Sequence, residues 1–190
     1  MSAIDRLFAR AGASPADIRR IAISAGPGGF TSLRIGAAVA KMIALATGAA
    51  CVAVPTTAAL IRRVDPALRR DRPTAICLAW KRRDAWRVTF SPGDSHEPIG
   101  PGGLAPLSAL VEPGPFLLVA DDPLVQLLRE EGLVHRQVTV LAPRFDPVAV
   151  LEASAFFADV DPSALAPIYP REPEAVARWR DRPTARGQMS

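Results

Sequence analysis

A chain of 190 residues and 20.2 kDa is long enough to bury about 70% of the surface its unfolded form exposes, so it needs no staples. With 49% apolar and 22% charged residues it is not globally disordered. Its two cysteines, Cys51 and Cys77, sit inside separate apolar runs, which excludes a disulfide framework or a zinc knuckle and reads as small buried hydrophobes. Net charge is +4 with pI near 9.8, a mild field that permits contact with nucleic acid without requiring it.

Taken in chain order, Ile4, Leu7, Phe8 and Ala11 recur at helical spacing and predict a helix over residues 3–11, with Ser2 as N-cap and Gly12 past its end. Ile21 to Ser24 is a short apolar run closed by glycines, a buried strand. Residues 25–29 are a loop, and Phe30-Thr31-Ser32 opens a helix that runs to Thr47, capped by Thr31 and stopped by Gly48. Only Arg34 and Lys41 are charged on that helix, so it is expected to lie between partners rather than on a surface. Ala50 to Val54 predicts a second buried strand and Pro55-Thr56-Thr57 a further helix to about Val64. The alternation implies an α/β domain with a parallel sheet. The stretch from Ile35 to Leu60 carries Lys41 and is broken by Gly48 and Pro55, so it reads as helix plus strand and no membrane span is expected.

Further on, residues 75–79 and 85–90 predict a hairpin around Lys81-Arg82-Arg83-Asp84. A weak helix is expected over 104–111, a strand over 116–120, a helix over 124–130 with Asp122 as N-cap and Pro123 at its first position, and a strand over 137–141. A last helix over 147–157 carries Val148, Leu151, Ala155 and Phe156 on one face. Beyond Asp161 the chain is rich in proline and arginine and reads as an extended arm with a short helix over 174–179. Three regions follow: 1–72, 73–161 and the arm 162–190.

Few residues carry obvious chemistry. The loop Gly26, Pro27, Gly28, Gly29, Phe30, Thr31 with Arg34 lies between a strand and a helix N-terminus, where free N–H groups and the helix dipole favour an anion. It lacks the lysine of a P-loop and the spacing of a dinucleotide fingerprint, and its glycines also suit a plain tight turn. His96 and His135 lack metal-ligand spacing. Trp80 and Trp86 flank the basic hairpin; such a patch could stack and neutralise nucleic acid, and equally reads as a solvated turn.

The segment Ser24-Ala25-Gly26-Pro27-Gly28-Gly29-Phe30-Thr31-Ser32-Leu33-Arg34-Ile35-Gly36 resembles the GPGSFTGLRIG motif of the bacterial TsaB (YeaZ) family. The resemblance continues through Val54-Pro55-Thr56-Thr57-Ala58-Ala59-Leu60 and into Pro167-Ile168-Tyr169-Pro170-Arg171-Glu172, similar to the family's P-x-Y-x-R ending. It implies an α/β, actin-like/Hsp70-like ATPase (ribonuclease H-like) fold in two lobes. It also implies a role in forming threonylcarbamoyladenosine in tRNA, as a non-catalytic scaffold and dimerisation subunit in the cytoplasm. The implied partners are a TsaD-like catalytic subunit and a TsaE-like ATPase, with a homodimer in their absence and tRNA met only indirectly. The helix after the glycine loop would supply the dimer face, through Leu33, Ala37, Ala40, Lys41, Ala44 and Leu45.

Two departures stand out. Gly29 and Ser32 exchange the family's small residues, and Ala79 stands where the family hairpin is acidic. Relatives also open with a strand bearing a phosphate loop and two further strands, which this sequence lacks. Either the start is assigned downstream of those strands or this is a reduced form that relies on a partner; in both cases the first lobe is expected to be truncated, with an exposed edge at the Ile23 strand, no cofactor in this chain, and ATP and metal in its partners. Two other readings remain: a phosphate- or nucleotide-binding enzyme using the Gly26–Thr31 loop, and a glycoprotease-like hydrolase.

Overall fold

The computed structural model describes residues 3–171 and 179–180. The chain forms two sheets with helices packed on their faces. The first pairs β1 (Arg20–Gly26) with β2 (Ala50–Pro55) in parallel, Ile21 opposite Cys51 and Ile23 opposite Ala53. The crossover between them is α2 (Phe30–Thr47), ended by Gly48 at φ +74°, a left-handed backbone that glycine adopts without a Cβ penalty. Its N-cap is Gly29, not Thr31, which lies inside the first turn. By length and composition α2 could cross a bilayer. Here it packs on the sheet.

The second sheet has strand order β5-β4-β3-β6-β7: β3 (Thr74–Lys81), β4 (Asp84–Phe90), β5 (Gly103–Pro106), β6 (Phe116–Val119) and β7 (Val138–Leu141). Neighbours β5, β4 and β3 run antiparallel; β3, β6 and β7 are parallel. Where a helix was expected over 104–111, the chain forms β5 and a single 3-10 turn, Leu107–Ala109. Pairing with Asp84 to Arg87 gives one side of its backbone a partner strand, a tertiary contact that overrides weak local propensity.

Side-chain alternation assigns each strand two faces. From β1 and β2, Ile21, Ile23, Cys51 and Ala53 face α2, while Ala22, Val52 and Val54 face α6 (Pro147–Ser154). In the second sheet Ala75, Cys77, Phe116 and Leu118 pack beneath α5 (Asp122–Glu130), and Ile76, Leu78, Val88 and Leu117 pack against Leu60, Ile61 and Val64. Those last three close α3 (Thr56–Leu60) and its 3-10 extension, ahead of the one-turn helix α4 (Pro66–Arg69), so the apolar seam between the two sheets is built from one short helical segment.

α6 falls in the second region by sequence, yet it packs on β1, β2 and α3 of the first lobe. Arg63 holds it there, donating to Asp146 at 2.5 Å and to Glu152 at 3.0 Å. Its inward residues are Ala149 and Ala153; Val148, Leu151 and Phe156, the face expected to be buried, are exposed. Small side chains let the helix lie close to the sheet, which turns the bulky ones outward. The α5 N-cap is Asp121, accepting from Leu124 N at 3.2 Å, rather than Asp122.

α1 (Ala3–Ala11) is amphipathic and buries no residue, and β1 has β2 as its one strand neighbour among the described residues. The expected helix over 174–179 and most of the arginine-rich arm lie outside the described residues.

Candidate functional site

The residues of interest gather where the glycine loop, the β3–β4 hairpin and the strap 167–171 meet. β1 ends at Gly26 with φ +112°. A Cβ there would sit 2.7 Å from the Ile168 carbonyl oxygen and 2.9 Å from Leu33 Cδ1, so only glycine fits. The strap lies directly on the loop: Ile168 N donates to Ala25 O at 2.6 Å. The next residue, Tyr169, places its ring 5.2 Å from that of Phe30. Arg171 then crosses to the other lobe, donating to Ala79 O at 2.5 Å, to Asp84 O at 3.1 Å and to the Asp84 carboxylate.

The Gly26–Thr31 loop opens on a cavity of about 480 Å³ whose polar lining includes Ser24, Ser32, Thr56 and Asp121. Ser24 Oγ and Thr56 Oγ1 share a hydrogen bond of 2.7 Å that ties β1 to α3. No lysine or arginine lines this cavity, and Asp121 adds an anion. Arg34, the cation expected to serve the loop, stacks instead over the Phe30 ring, 4.7 Å from its centre.

On α2 the six expected interface residues do not share one exposed face. Ala37, Ala40 and Ala44 are buried on the sheet, Leu33 and Lys41 are half-buried, and Lys41 Nζ donates to Ser163 O at 3.0 Å. Leu45 alone is open, 76% exposed. The open apolar flank is formed by Ile35, Val39, Met42 and Leu45, residues that helical spacing sets on one side. Their sizes were the readable clue: on a helix crossing close over a sheet, the small residues face in.

Both cysteines are buried and free; burial pushes the Cys77 thiol up to about 12 and raises Cys51 as well. Burial also lowers the pKa of His96, with Arg62 and Arg69 acting in the same direction. His135 Nε2 lies 3.0 Å from Glu112 O. Among the described residues no three His, Cys, Asp or Glu side chains form a metal-binding group.

A family model described as TsaD, tRNA N6-adenosine threonylcarbamoyltransferase, matches residues 1–84. That span runs from α1 to the first residue of β4. Two solved structures from Pseudomonas aeruginosa share the fold. One, an uncharacterized protein with similarity to peptidase YeaZ, has a TM-score of 0.70 and 20% identity, covering 88% of this chain and 81% of that one. The other, YeaZ, has a TM-score of 0.67 and 19% identity, covering 87% and 80%. No curated protein matches the chain. The two lobes thus define an actin-like, ribonuclease H-like architecture. Within it the chain is TsaB/YeaZ-like in fold.

Proposed function

We propose that this chain is a non-catalytic subunit of the system that forms threonylcarbamoyladenosine in tRNA, docking a TsaD-type catalytic subunit through α2. The observation that carries this is the outer flank of α2. Met42 is 71% and Leu45 76% exposed, with Ile35 and Val39 beside them, an apolar stripe of the kind that partners cover. It lies inside the span matched by the TsaD family model. In this reading two copies of the chain pair through the same flank when the partner is absent, a self-complementary contact. A TsaE-type ATPase joins the assembly in the cytoplasm, and ATP and metal are handled by the partners.

The test is co-purification with a TsaD-type protein. The double substitution Met42→Glu and Leu45→Glu places two carboxylates in the contact while leaving the sheet-facing alanines untouched. It is expected to abolish both self-association and capture of the partner at unchanged thermal stability, and to remove threonylcarbamoylation activity from a reconstituted mixture. Retained capture by this variant would overturn the assignment.

A further inference from the structure

A second cavity, about 530 Å³, is lined by the glycine loop, the β3–β4 hairpin and the strap. Three aromatic side chains from three distant segments line it: Phe30 from the start of α2, Trp80 from β3 and Tyr169 from the strap. Lys81 and Arg82 line it from the hairpin tip, and both are exposed. Its carboxylate, Asp84, is held by Arg171, and the Arg34 guanidinium stacks over the Phe30 ring. The wall is therefore aromatic, with two cationic side chains at its edge.

Trp80 lines this cavity because of an irregularity in the strand. The β3–β4 register slips between Leu78 and Lys81, and Ala79 adopts φ +51°, Arg82 φ +59°. Without the slip, residue 80 would share the face of Ile76 and Leu78. With it, Trp80 packs on the opposite core, that of Ala75 and Cys77, and Ala79 takes the place beside Leu78. Two non-glycine residues in the left-handed region are a cost that the surrounding structure must hold in place, and such costs concentrate at working surfaces.

We propose that this cavity binds single-stranded RNA, with one base stacked against Trp80 and Tyr169 and the flanking phosphates on Lys81 and Arg82. Aromatic faces interleaved with cations suit an unpaired nucleotide, since each base offers a π-face and each phosphate a charge. The volume falls in the roughly 300–1,000 Å³ range of small-ligand pockets, enough for a nucleotide while the strand passes on at either end. The choice of RNA over other single strands rests on the tRNA-modification reading. The contact itself goes beyond it, because the chain then touches RNA directly rather than through its partner.

The test is fluorescence anisotropy of a labelled single-stranded RNA against the full chain over a series of salt concentrations. Lys81→Glu is expected to weaken binding about tenfold and to lower the slope of log affinity against log salt by about one. Trp80→Leu is expected to weaken it about tenfold with the slope unchanged, since stacking carries no counterion release. Arg10→Glu, on helix α1, which lines no part of the cavity, changes net charge as much as Lys81→Glu and should have little effect. Equal losses from Arg10→Glu and Lys81→Glu, no binding by the wild type, or AMP competing as strongly as the strand would each overturn the proposal. Lys81→Glu sits at an exposed tip and keeps the test valid where Trp80→Leu disturbs the core. Capture of the TsaD-type partner is measured on the same proteins. Lost RNA binding with intact capture in Lys81→Glu supports the RNA site. Wild-type capture without RNA binding refutes the site and leaves the assembly role standing. Failed wild-type capture refutes the assembly role, whichever way the RNA result falls.

Discussion

Gly26 shows how far a single position can constrain the molecule. It is where β1 stops, where the strap lands and where Leu33 packs, at a φ of +112°. Gly26→Ala must both enter a disfavoured backbone region and push on a backbone carbonyl, which cannot swing aside as a flexible side chain would. We expect a loss of about 2 kcal/mol or more, measured by urea unfolding, with Gly28→Ala, whose added Cβ meets only ordinary contacts, as the mild comparison. A different residue-level effect governs acid stability. The Arg63 side chain, then the Val148 backbone N–H, hold the Asp146 carboxyl below the usual carboxylate range; Ser14 does the same for Asp17 and Ser163 for Asp161. Each depressed group adds stability that is complete above its unfolded pKa and is lost as pH falls through its folded one. Stability is therefore expected to be level above roughly pH 5 and to decline below about pH 4, and Asp146→Asn should be weaker at neutral pH with a shallower acid limb in a pH series of denaturant midpoints.

At the scale of elements, most of the strands and helices were legible because apolar runs and punctuation agree. Ile21 to Ser24 and Ala50 to Val54 are bounded by glycine and proline, and Gly48 ends α2 where the chain's periodicity does. β5 was not legible: Gly103 to Pro106 has no apolar alternation, and its pairing with Asp84 to Arg87 is a property of the sheet. The orientation of α2 and α6 was missed for a shared reason. Both are apolar on most sides, so the moment of the helix gives no direction, and close packing on a sheet selects alanine for the inner face. The two faces of α2 should separate cleanly. Ala40→Leu, at a site 2% exposed, should cost about 1–3 kcal/mol by overpacking. Met42→Ala should stay within roughly 0.5 kcal/mol while weakening assembly. Thermal melts and light scattering on the two variants read each effect.

At the scale of the whole molecule, the two lobes touch through the short helical seam of Leu60, Ile61 and Val64 and through the strap. The strap joins them at three points: Ala25 on one sheet, Phe30 at the start of α2, and the Ala79–Asp84 hairpin on the other. The tyrosine and arginine that resemble the family ending are thus the residues that fasten lobe to lobe. The sequence carries their identity but not this role, because Tyr169 meets a ring 139 residues back in the chain and Arg171 its partners 87 and 92 residues back. Arg171→Ala leaves the Asp84 carboxylate and the Ala79 carbonyl without that donor. We expect faster limited proteolysis of the hairpin and a small increase in radius of gyration by X-ray scattering, with each lobe's core intact. Unchanged proteolysis would mean that the helical seam alone fixes the lobes.

The scarcity of lysine has a practical outcome. The chain's two side-chain amines are Lys41, at the margin of the outer flank of α2, and Lys81, on the rim of the aromatic cavity. Acylation footprinting by mass spectrometry therefore reads one mark for each surface, so a ligand that shields Lys81 and a subunit that shields Lys41 are told apart in a single digest.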